Sequence, residues 1–259
     1  MRNMEQKELN LNFVKKRPRR TVYILPSVFT VGNIFCGFFA IISSIHGNYD
    51  DAAKALGIAI VLDGLDGRMA RLANATSEFG LQLDSLADVI SFGLAPAILM
   101  LSWGLAKLGD FGIFTAFVFL ICGTMRLARF NVQSENLRQF VGMPIPAAAG
   151  VIAAVEHFFS APVTDPVHAN SLAVMTLVLA FLMISRIRYF SLKQLHLGKG
   201  KSHLNILLLS VLLALIIFYS QIVLLTLAIV YAINPLLAQF IRLFARHPQA
   251  EPSARTNRP

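Results

Sequence analysis

Aspartates inside strongly apolar stretches are the residues of this sequence whose type and spacing could do chemistry. Asp63, Asp66, Asp84 and Asp88 lie near one another in the chain, among segments rich in Leu, Ile, Val, Phe and Ala. Carboxylates held together at low dielectric repel strongly, so such a group must bind protons or cations. Ligands that are all oxygen suit a hard divalent ion such as Mg²⁺ or Mn²⁺, and sharing between two ions is compatible with this set. The sequence therefore predicts a divalent-metal site.

Helical spacing places the acids and several small residues on two faces. The first helix presents residues at i, i+3, i+4, i+7 and i+8: Asp63, Asp66, Gly67, Ala70 and Arg71. After eight further residues, a second helix presents a face at four-residue spacing: Gly80, Asp84 and Asp88. If the two helices are antiparallel neighbours, the carboxylates converge. An antiparallel pair of helices is therefore the arrangement that the site requires.

Composition identifies the environment of these helices. Hydrophobic residues make up 56% of the 259 residues, charged residues make up 14%, and the mean hydropathy is +0.62. These values are typical of a polytopic membrane protein and exclude an ordinary soluble domain. Apolar stretches long enough to cross a bilayer occur at 24–45, 52–72, 80–103, 109–130, 144–160, 169–187, 204–219 and 221–243. The predicted fold class is an all-α integral membrane protein with about eight transmembrane helices.

Basic residues are distributed unevenly between the two sides of this predicted bundle. With the N-terminus inside, 21 of the 23 Lys and Arg residues fall in or beside cytosolic segments, and Lys54 and Lys107 fall outside. Short loops rich in Lys and Arg stay on the cytosolic side of a membrane. We therefore expect both termini in the cytosol, an even number of spans, and a polar active-site cavity that opens to the cytosol beside the acids.

Charge and hydropathy also divide the chain into segments. Residues 1–23 are expected to form a basic juxtamembrane segment against anionic lipid head groups, and 24–190 a core of about six spans. A basic cytosolic loop at 191–203 precedes two C-terminal spans within 204–243, and a disordered tail is expected at 244–259. Basic residues next to a span are a topology signal, so a nucleic-acid partner is not expected.

The pattern from Asp63 to Asp88 resembles the signature of the CDP-alcohol phosphatidyltransferase family. Asp-x-x-Asp-Gly-x-x-Ala-Arg, eight residues, and Gly-x-x-x-Asp-x-x-x-Asp match every fixed position of that signature. The resemblance implies transfer of a substituted phosphate from a CDP-linked donor to an alcohol hydroxyl, with release of CMP. It also implies two divalent cations, Mg²⁺ or Mn²⁺, a homodimer, and Asp88 as general base. The alternative is a set of solvated charges at a helical hairpin, but acids within apolar helices are costly and usually functional.

Each residue of the pattern has a physical use in that reaction. Two cations held by the four aspartates would neutralise the donor pyrophosphate and the charge on the departing CMP. Gly67 and Ala70 leave room for the nucleotide, and Gly80 allows close approach of the facing helix. Arg71 can bind phosphate oxygens through several N–H donors. Ser77 either hydrogen-bonds the nucleotide or caps a helix.

Further segments resemble the phosphatidylserine synthase branch of this family, the CDP-diacylglycerol-serine O-phosphatidyltransferases. They are LPSVFTVGNIFCGFFAI at 25–41, LDSLADVISFGLAPA at 83–97, MRLARFNV at 125–132 and GMPIPAAAG at 142–150. The resemblance implies that CDP-diacylglycerol is the donor and L-serine the acceptor, in phospholipid biosynthesis. Membrane lipids would surround such a site, with the diacylglycerol tails entering between helices from the cytosolic leaflet.

The acceptor is the least determined part of this prediction. Arg126 and Arg129 lie three residues apart on one predicted helix, with Asn131 close by. They could bind the carboxylate of serine, bind a lipid phosphate, or anchor the helix at the membrane surface. Other acceptors for the same donor are glycerol 3-phosphate, inositol phosphate and choline. A divalent-cation transporter, with the four acids as its transport site, is the alternative from a different class of function.

Overall fold

A computed structural model describes residues 21–72, 78–132, 142–159, 161–187, 210, 215 and 219–244, with side chains described from residue 28 except at 70–72 and 235–244. This part of the chain folds into helices and contains no strand. The long helices, in chain order, are α1 (Thr21–Ile45), α2 (Tyr49–Leu72), α3 (Glu78–Trp103), α4 (Asp110–Val132), α5 (Ile145–Phe159), α6 (Pro166–Ile184) and α7 (Ser220–Phe244). The predicted all-α fold is confirmed for these residues.

The apolar character of the helices indicates a membrane protein. Four described segments are long and apolar enough to cross a bilayer: Val28–Ile45, Glu78–Trp103, Asp110–Val132 and Pro166–Ile184. Ile145–Phe159 and Ser220–Asn234 are apolar but shorter, and α2 is less apolar because it carries several charged residues. The number of eight spans, their orientation and the segment boundaries stay predictions. The stretches 1–20, 188–209 and 245–259, and most of the predicted span at 204–219, lie outside the described residues.

The first helix organises the half of the bundle that carries the aspartates. It packs along α2 and also contacts α3. Small residues permit this approach, because helices in lipid associate through close van der Waals contact. A Cβ at Gly37 would collide with Ser91 of α3, and the Ser91 hydroxyl donates a hydrogen bond to the Asn33 carbonyl oxygen at 2.8 Å. α1 therefore sets the position of α3 relative to α2.

A π-helical turn interrupts α3 immediately after its second aspartate. The turn covers Val89–Leu94, and its central residues are buried. Such turns insert an additional residue into a helix and occur frequently at functional sites. The turn changes the helical register between Asp84 and Asp88 on one side and the apolar segment Ala95–Trp103 on the other. The acidic and apolar parts of α3 can therefore face different neighbours.

The end of the bundle farthest from the aspartates, here called the distal end, is joined by polar contacts. Tyr49, at the start of α2, is separated from Asp63 by about 20 Å along the helix axis. The Tyr49 hydroxyl donates a hydrogen bond to the Ser102 carbonyl oxygen, near the end of α3, at 2.9 Å. The two helices are therefore antiparallel. The Trp103 indole N–H donates to the Ala161 carbonyl oxygen at 2.8 Å and joins α3 to the segment before α6.

A second polar group at the distal end connects three helices. One ring nitrogen of His157 on α5 lies 2.6 Å from the Asp50 carboxylate of α2, and the other lies 2.8 Å from the Ser220 hydroxyl of α7. Asp50 also forms a salt bridge with Lys54, one turn along α2, at 2.6 Å. These contacts hold the N-terminal end of α7 against the rest of the bundle.

Small residues and one tight turn bring α5 against α4 and α6. Gly142 has a φ of 88°, a conformation that favours glycine, and its N–H donates to the Ile187 carbonyl oxygen at 2.8 Å. A Cβ at Gly123 of α4 would collide with Ile145 at the start of α5. Four alanines of α5 are buried, as expected for a helix that neighbours approach closely: Ala148, Ala149, Ala153 and Ala154.

Candidate active site

Three of the predicted aspartates converge between α2 and α3. One carboxylate oxygen from each of Asp63, Asp84 and Asp88 lies within 4.8 Å of the others, and all three side chains are partly buried. Asp63 belongs to α2, and the other two lie one turn apart on α3, as their four-residue spacing requires. The structure therefore contains an acidic cluster whose size and chemistry could hold a divalent cation.

Asp66 lies beside this cluster but makes a different contact. Its side chain is buried and accepts a hydrogen bond from the Thr30 hydroxyl of α1. It also interacts electrostatically with Asp84 and Asp88, so it contributes negative charge to the cluster. The structure thus places all four predicted aspartates in one region and brings ligand oxygens of three of them together.

The distance between the two acidic helices is set through α1. The N-terminal part of α3 contacts α1, which is itself packed along α2, and makes few backbone contacts with α2 directly. The carboxylates of α2 and α3 therefore reach towards each other while their backbones stay apart. The antiparallel arrangement expected from the sequence is present, and the supporting role of α1 is an addition from the structure.

Asp88 provides the test of whether these residues fit a metal ion. Its Oδ1 atom is buried and has no hydrogen-bond partner in the described part of the chain. An unpaired buried carboxylate oxygen is costly, and a cation would supply the missing partner. The donor set is entirely carboxylate oxygen, which suits Mg²⁺ or Mn²⁺ better than metals that prefer nitrogen or sulfur. The residues present therefore fit a divalent cation.

The predicted nucleotide-binding residues belong to the same part of the chain. Gly67 lies one residue beyond the second aspartate of α2, and Gly80 lies in the first turn of α3. Ala70 and Arg71 belong to the last turn of α2, but their side chains lie outside the described residues, as does all of Ser77. Binding of the nucleotide by these residues stays a prediction.

The two arginines predicted to share a helix face differ in their surroundings. Arg126 is partly buried and interacts electrostatically with Asp88, whereas Arg129 is exposed. Among the described residues, Arg126 makes no ion pair with a carboxylate, and its buried Nε atom has no hydrogen-bond partner. Asn131 is exposed, and its amide donates to the Ser85 hydroxyl at 2.9 Å, which joins α4 to the acidic part of α3. Arg126 therefore lies near the acidic cluster, whereas Arg129 lies on the surface.

The structure also places polar residues of α1 near the aspartates, and a tyrosine of α7 interacts with Arg126. These residues are not predicted from the sequence. Thr30 binds Asp66, and Asn33, one turn further along α1, is buried with a side-chain amide that has no partner in the described residues. Tyr231 of α7 interacts electrostatically with Arg126. The available signal for Thr30 and Asn33 is their i, i+3 spacing within an apolar helix, whereas no sequence pattern points to Tyr231.

The chain is similar to known proteins in the region that contains this site. Residues 23–184 match the family model described as CDP-alcohol phosphatidyltransferase. A CDP-diacylglycerol-serine O-phosphatidyltransferase of Bacillus subtilis is 38% identical over 165 residues, which cover 64% of this chain and 89% of the relative. The protein of the same name from Helicobacter pylori is 35% identical over 184 residues, 68% of this chain and 76% of the relative. An archaetidylserine synthase of Methanothermobacter thermautotrophicus is 36% identical over 172 residues, 64% of this chain and 69% of the relative.

The matched region contains the whole acidic cluster and the arginine beside it. It begins within α1 and ends at the last residue of α6, so α7 lies beyond it. The family model covers more than half of the chain. Because that match and the convergence of the signature aspartates agree, the chain belongs to the CDP-alcohol phosphatidyltransferase family.

Proposed function

We propose that this protein transfers the phosphatidyl group of CDP-diacylglycerol to the hydroxyl of L-serine, and so makes phosphatidylserine and CMP in phospholipid biosynthesis. The observation that carries the proposal is the cluster of Asp63, Asp84 and Asp88 in a chain that belongs to this family. The choice of acceptor rests on the relatives, because the names of the three described above specify serine.

Two divalent cations, Mg²⁺ or Mn²⁺, are the proposed cofactors. Asp63, Asp84 and Asp88 would hold them, with Asp66 as the fourth carboxylate. When bound, such cations neutralise the donor pyrophosphate and the charge that develops on the departing CMP. The hydrogen bond from Thr30 restrains the Asp66 side chain, as outer partners of metal-binding carboxylates commonly do.

Asp88 is the proposed general base for the serine hydroxyl. Its carboxylate belongs to the acidic cluster between α2 and α3, and it interacts electrostatically with Arg126. The serine hydroxyl would therefore approach Asp88 from the space between these two helices. As the serine oxygen bonds to the phosphorus, the bond from phosphorus to the CMP oxygen breaks and its electron pair leaves with CMP. The hydroxyl proton passes to the Asp88 carboxylate.

The CDP group is proposed to lie along the acidic ends of α2 and α3. The glycines and the alanine of the signature leave space for the nucleotide, and the arginine and the serine supply donors to its phosphates and hydroxyls. The residues proposed for this binding are Gly67, Ala70, Arg71, Ser77 and Gly80. Their positions beside the aspartates in the chain support this assignment.

Arg126 is proposed to bind the carboxylate of the acceptor serine. It interacts with Asp88 without forming an ion pair within the described chain, which leaves N–H donors available next to the proposed base. Arg129 and Asn131 are exposed, and we assign them to a lipid phosphate or to the membrane surface.

The proposed setting is the cytoplasmic membrane, with the active site facing the cytosol. The apolar helices α1, α3, α4 and α6 support a membrane location. The distribution of Lys and Arg along the sequence supports an orientation with both termini in the cytosol. A homodimer is also proposed, because the resemblance to the family implies one.

An acceptor panel tests the proposal. Purified protein is incubated with CDP-diacylglycerol, Mg²⁺ or Mn²⁺, and one of L-serine, glycerol 3-phosphate, inositol phosphate or choline. We expect CMP release and a new aminophospholipid with serine, and neither with the other acceptors. Reaction with glycerol 3-phosphate and not with serine would change the acceptor. Cation uptake by proteoliposomes without CMP release would instead indicate a transporter.

Replacement of Arg126 by Gln is expected to raise the KM for serine about 30-fold and the KM for CDP-diacylglycerol less than about threefold. The reason is that a hydrogen bond from a charged donor to a carboxylate contributes about 1.5–3 kcal/mol. Initial rates of CMP release at varied serine concentration measure the change. Arg129→Gln is the matched control and should leave the serine KM within about twofold of the wild-type value, because Arg129 is exposed and is not assigned to the serine carboxylate. An equal rise in both KM values would assign Arg126 to lipid binding or to the structure of the helix.

A further inference from the structure

Asn33 of α1 is buried and neither end of its side-chain amide has a partner. Among the residues whose side chains the structure describes, buried polar atoms without a hydrogen-bond partner belong to Asn33, Asp88, Arg126 and Glu156. Both Oδ1 and Nδ2 of Asn33 are in this state, and the residue is only 1% exposed. Burial of an unpaired amide is costly, so such a group needs a partner. Asp88 and Arg126 already have proposed partners, whereas Asn33 has none.

Contacts between α1 and α2 place Asn33 level with an aspartate of the acidic cluster. Thr30 donates to Asp66, and a Cβ at Gly32 would lie 3.3 Å from the leucine that precedes Asp63. As the chain ascends α1, its contacts therefore descend α2, and the two helices are antiparallel. Asn33 is one turn after Thr30, and Asp63 is one turn before Asp66. Asn33 and Asp63 therefore lie at the same level of the bundle.

A contact with α3 fixes the height of the Asn33 side chain relative to Asp88. The Ser91 hydroxyl donates to the Asn33 carbonyl oxygen at 2.8 Å, and Asp88 is three residues before Ser91. α1 and α3 run in the same direction, because both are antiparallel to α2. A helical carbonyl points towards the C-terminal end of its helix, whereas the Cα–Cβ bond tilts towards the N-terminal end. The amide of Asn33 therefore lies on the Asp88 side of its contact with Ser91.

Two contacts between α3 and α4 place Arg126 at this level as well. The Asn131 amide donates to the Ser85 hydroxyl at 2.9 Å, and a Cβ at Gly93 would lie 3.1 Å from a leucine in the middle of α4. Arg126 lies between these two contacts on α4, and Asp88 lies between them on α3. One layer of the bundle therefore contains Asn33, Asp63, Asp88 and Arg126, from four different helices.

This layer lies on the side of the cluster opposite the residues proposed for the nucleotide. Gly67 follows Asp66 on α2, away from Asp63, and Gly80 lies one turn before Asp84 on α3. Asn33 is level with Asp63, at the other end of the cluster. A nucleotide bound at the glycines leaves this layer for the acceptor, which must approach the phosphorus from the side away from the departing CMP.

We propose that Asn33 recognises the amino-acid part of the acceptor: its Oδ1 atom accepts a hydrogen bond from the serine ammonium group, and its Nδ2 atom donates to the serine carboxylate. A carboxamide has both a donor and an acceptor, and a zwitterion requires both. Arg126 has donors alone, so it can bind the carboxylate but not the ammonium group. The inference rests on the proposed function, since it assigns Asn33 to the acceptor of that reaction.

This contact would also discriminate against the other acceptors. Glycerol 3-phosphate and inositol phosphate have no ammonium group, and the quaternary nitrogen of choline has no N–H to donate. None of the three can satisfy the buried Oδ1 atom through an N–H donor, and an amide left unpaired in the bound state opposes binding. Asn33 is therefore a residue that determines the choice of acceptor.

Asn33→Leu tests the inference, because leucine has a similar size and no polar side-chain atom. We expect the KM for serine to rise about tenfold, with kcat and the KM for CDP-diacylglycerol changed less than about threefold. Ser44→Ala is the matched control and should leave the serine KM within about twofold of the wild-type value. Ser44 is buried on the same helix at the distal end, where its hydroxyl donates to the Ala40 carbonyl oxygen at 2.7 Å.

A competitor without the ammonium group separates this contact from a change in the shape of the site. 3-Hydroxypropionate is serine without its amino group, and its inhibition of CMP release from serine gives a Ki. We expect the wild-type Ki to exceed the serine KM about tenfold, and Asn33→Leu to change that Ki less than about twofold. An equal weakening of serine and 3-hydroxypropionate by the substitution would overturn the contact with the ammonium group.

Thermal unfolding in detergent shows whether each variant keeps its fold, and Asn33→Ala repeats the test if Asn33→Leu is not recovered folded. A folded variant whose serine KM stays within about twofold of wild type would overturn the inference. Equal increases in the KM values of serine and CDP-diacylglycerol would overturn it too. A wild-type protein that does not use serine would overturn the proposed function as well, whereas a serine-active wild type with an unaffected variant would overturn the inference alone.

Discussion

Asp84→Asn is expected to lower CMP release by about 10³-fold or more at saturating CDP-diacylglycerol and serine. Asp84 supplies one of the three carboxylate oxygens that lie within 4.8 Å of one another, and Asn replaces an anionic ligand by a neutral one. The change weakens cation binding and leaves the charge on the departing CMP less stabilised. The measurement is CMP release at an ordinary concentration of Mg²⁺ or Mn²⁺.

Asp51→Asn is the matched control for this change. Asp51 is an exposed aspartate in the first turn of α2, at the distal end of the bundle. Its replacement should leave CMP release within about twofold of wild type. Both variants should insert into the membrane and be recovered in equal amounts, because neither change removes apolar contacts. Activity of Asp84→Asn near the wild-type level would exclude the acidic cluster as the metal site.

Asp88→Asn is expected to lower kcat by about 10³- to 10⁴-fold, because Asp88 is proposed to act both as a cation ligand and as the base. Asn cannot take the serine hydroxyl proton. Asp88→Glu keeps a carboxylate but moves it by one methylene group, and we expect a loss of about 10²-fold. Single-turnover formation of CMP measures both variants, since it separates the chemical step from product release.

A cation titration separates the two roles of Asp88. Raising Mg²⁺ or Mn²⁺ should restore part of the activity of Asp84→Asn, because the converging oxygens of Asp63 and Asp88 remain. The same titration should leave Asp88→Asn inactive, since a cation does not replace a base. Equal recovery of the two variants would show that Asp88 acts through the cation alone and would remove the proposed base.

The acidic site is predictable from the sequence because its geometry is largely local. Four-residue spacing places Asp84 and Asp88 on one helix face whatever surrounds them. The apolar stretches at 52–72 and 80–103 predict the two helices that carry the acids, and the structure has them at Tyr49–Leu72 and Glu78–Trp103. Acids within apolar helices are a chemical signal that needs no knowledge of the packing.

Hydroxyl groups in apolar helices are not predictable in the same way. Thr115 and Thr176 donate to carbonyl oxygens of their own helices, at 2.8 Å in each case, whereas Thr30 donates to Asp66 on another helix. Both uses satisfy the hydroxyl, and the sequence carries no signal that separates them. The network of Asp50, His157 and Ser220 is likewise hidden, because its members are distant in the chain.

The two arginines of α4 also show the difference between what local spacing predicts and what helix packing determines. Spacing of three residues places Arg126 and Arg129 on one side of a helix and predicts equivalent roles for them. The structure separates them, because Arg126 is partly buried beside Asp88 and Arg129 is exposed. Which of two neighbouring side chains enters a site depends on the rotation of the helix, and that rotation is set by contacts with other helices.

Local periodicity and chemical type alone therefore predict the membrane class and the acidic cluster, and the resemblance of the aspartate pattern to a known signature implies the family of the reaction. Packing between helices determines which carboxylate oxygens meet and which arginine lies near Asp88. The physical reason is that helical spacing relates residues within a few turns, whereas the relative height and rotation of helices come from long-range contacts. The approach of Gly37 to Ser91 and the bond between His157 and Ser220 are contacts of that kind.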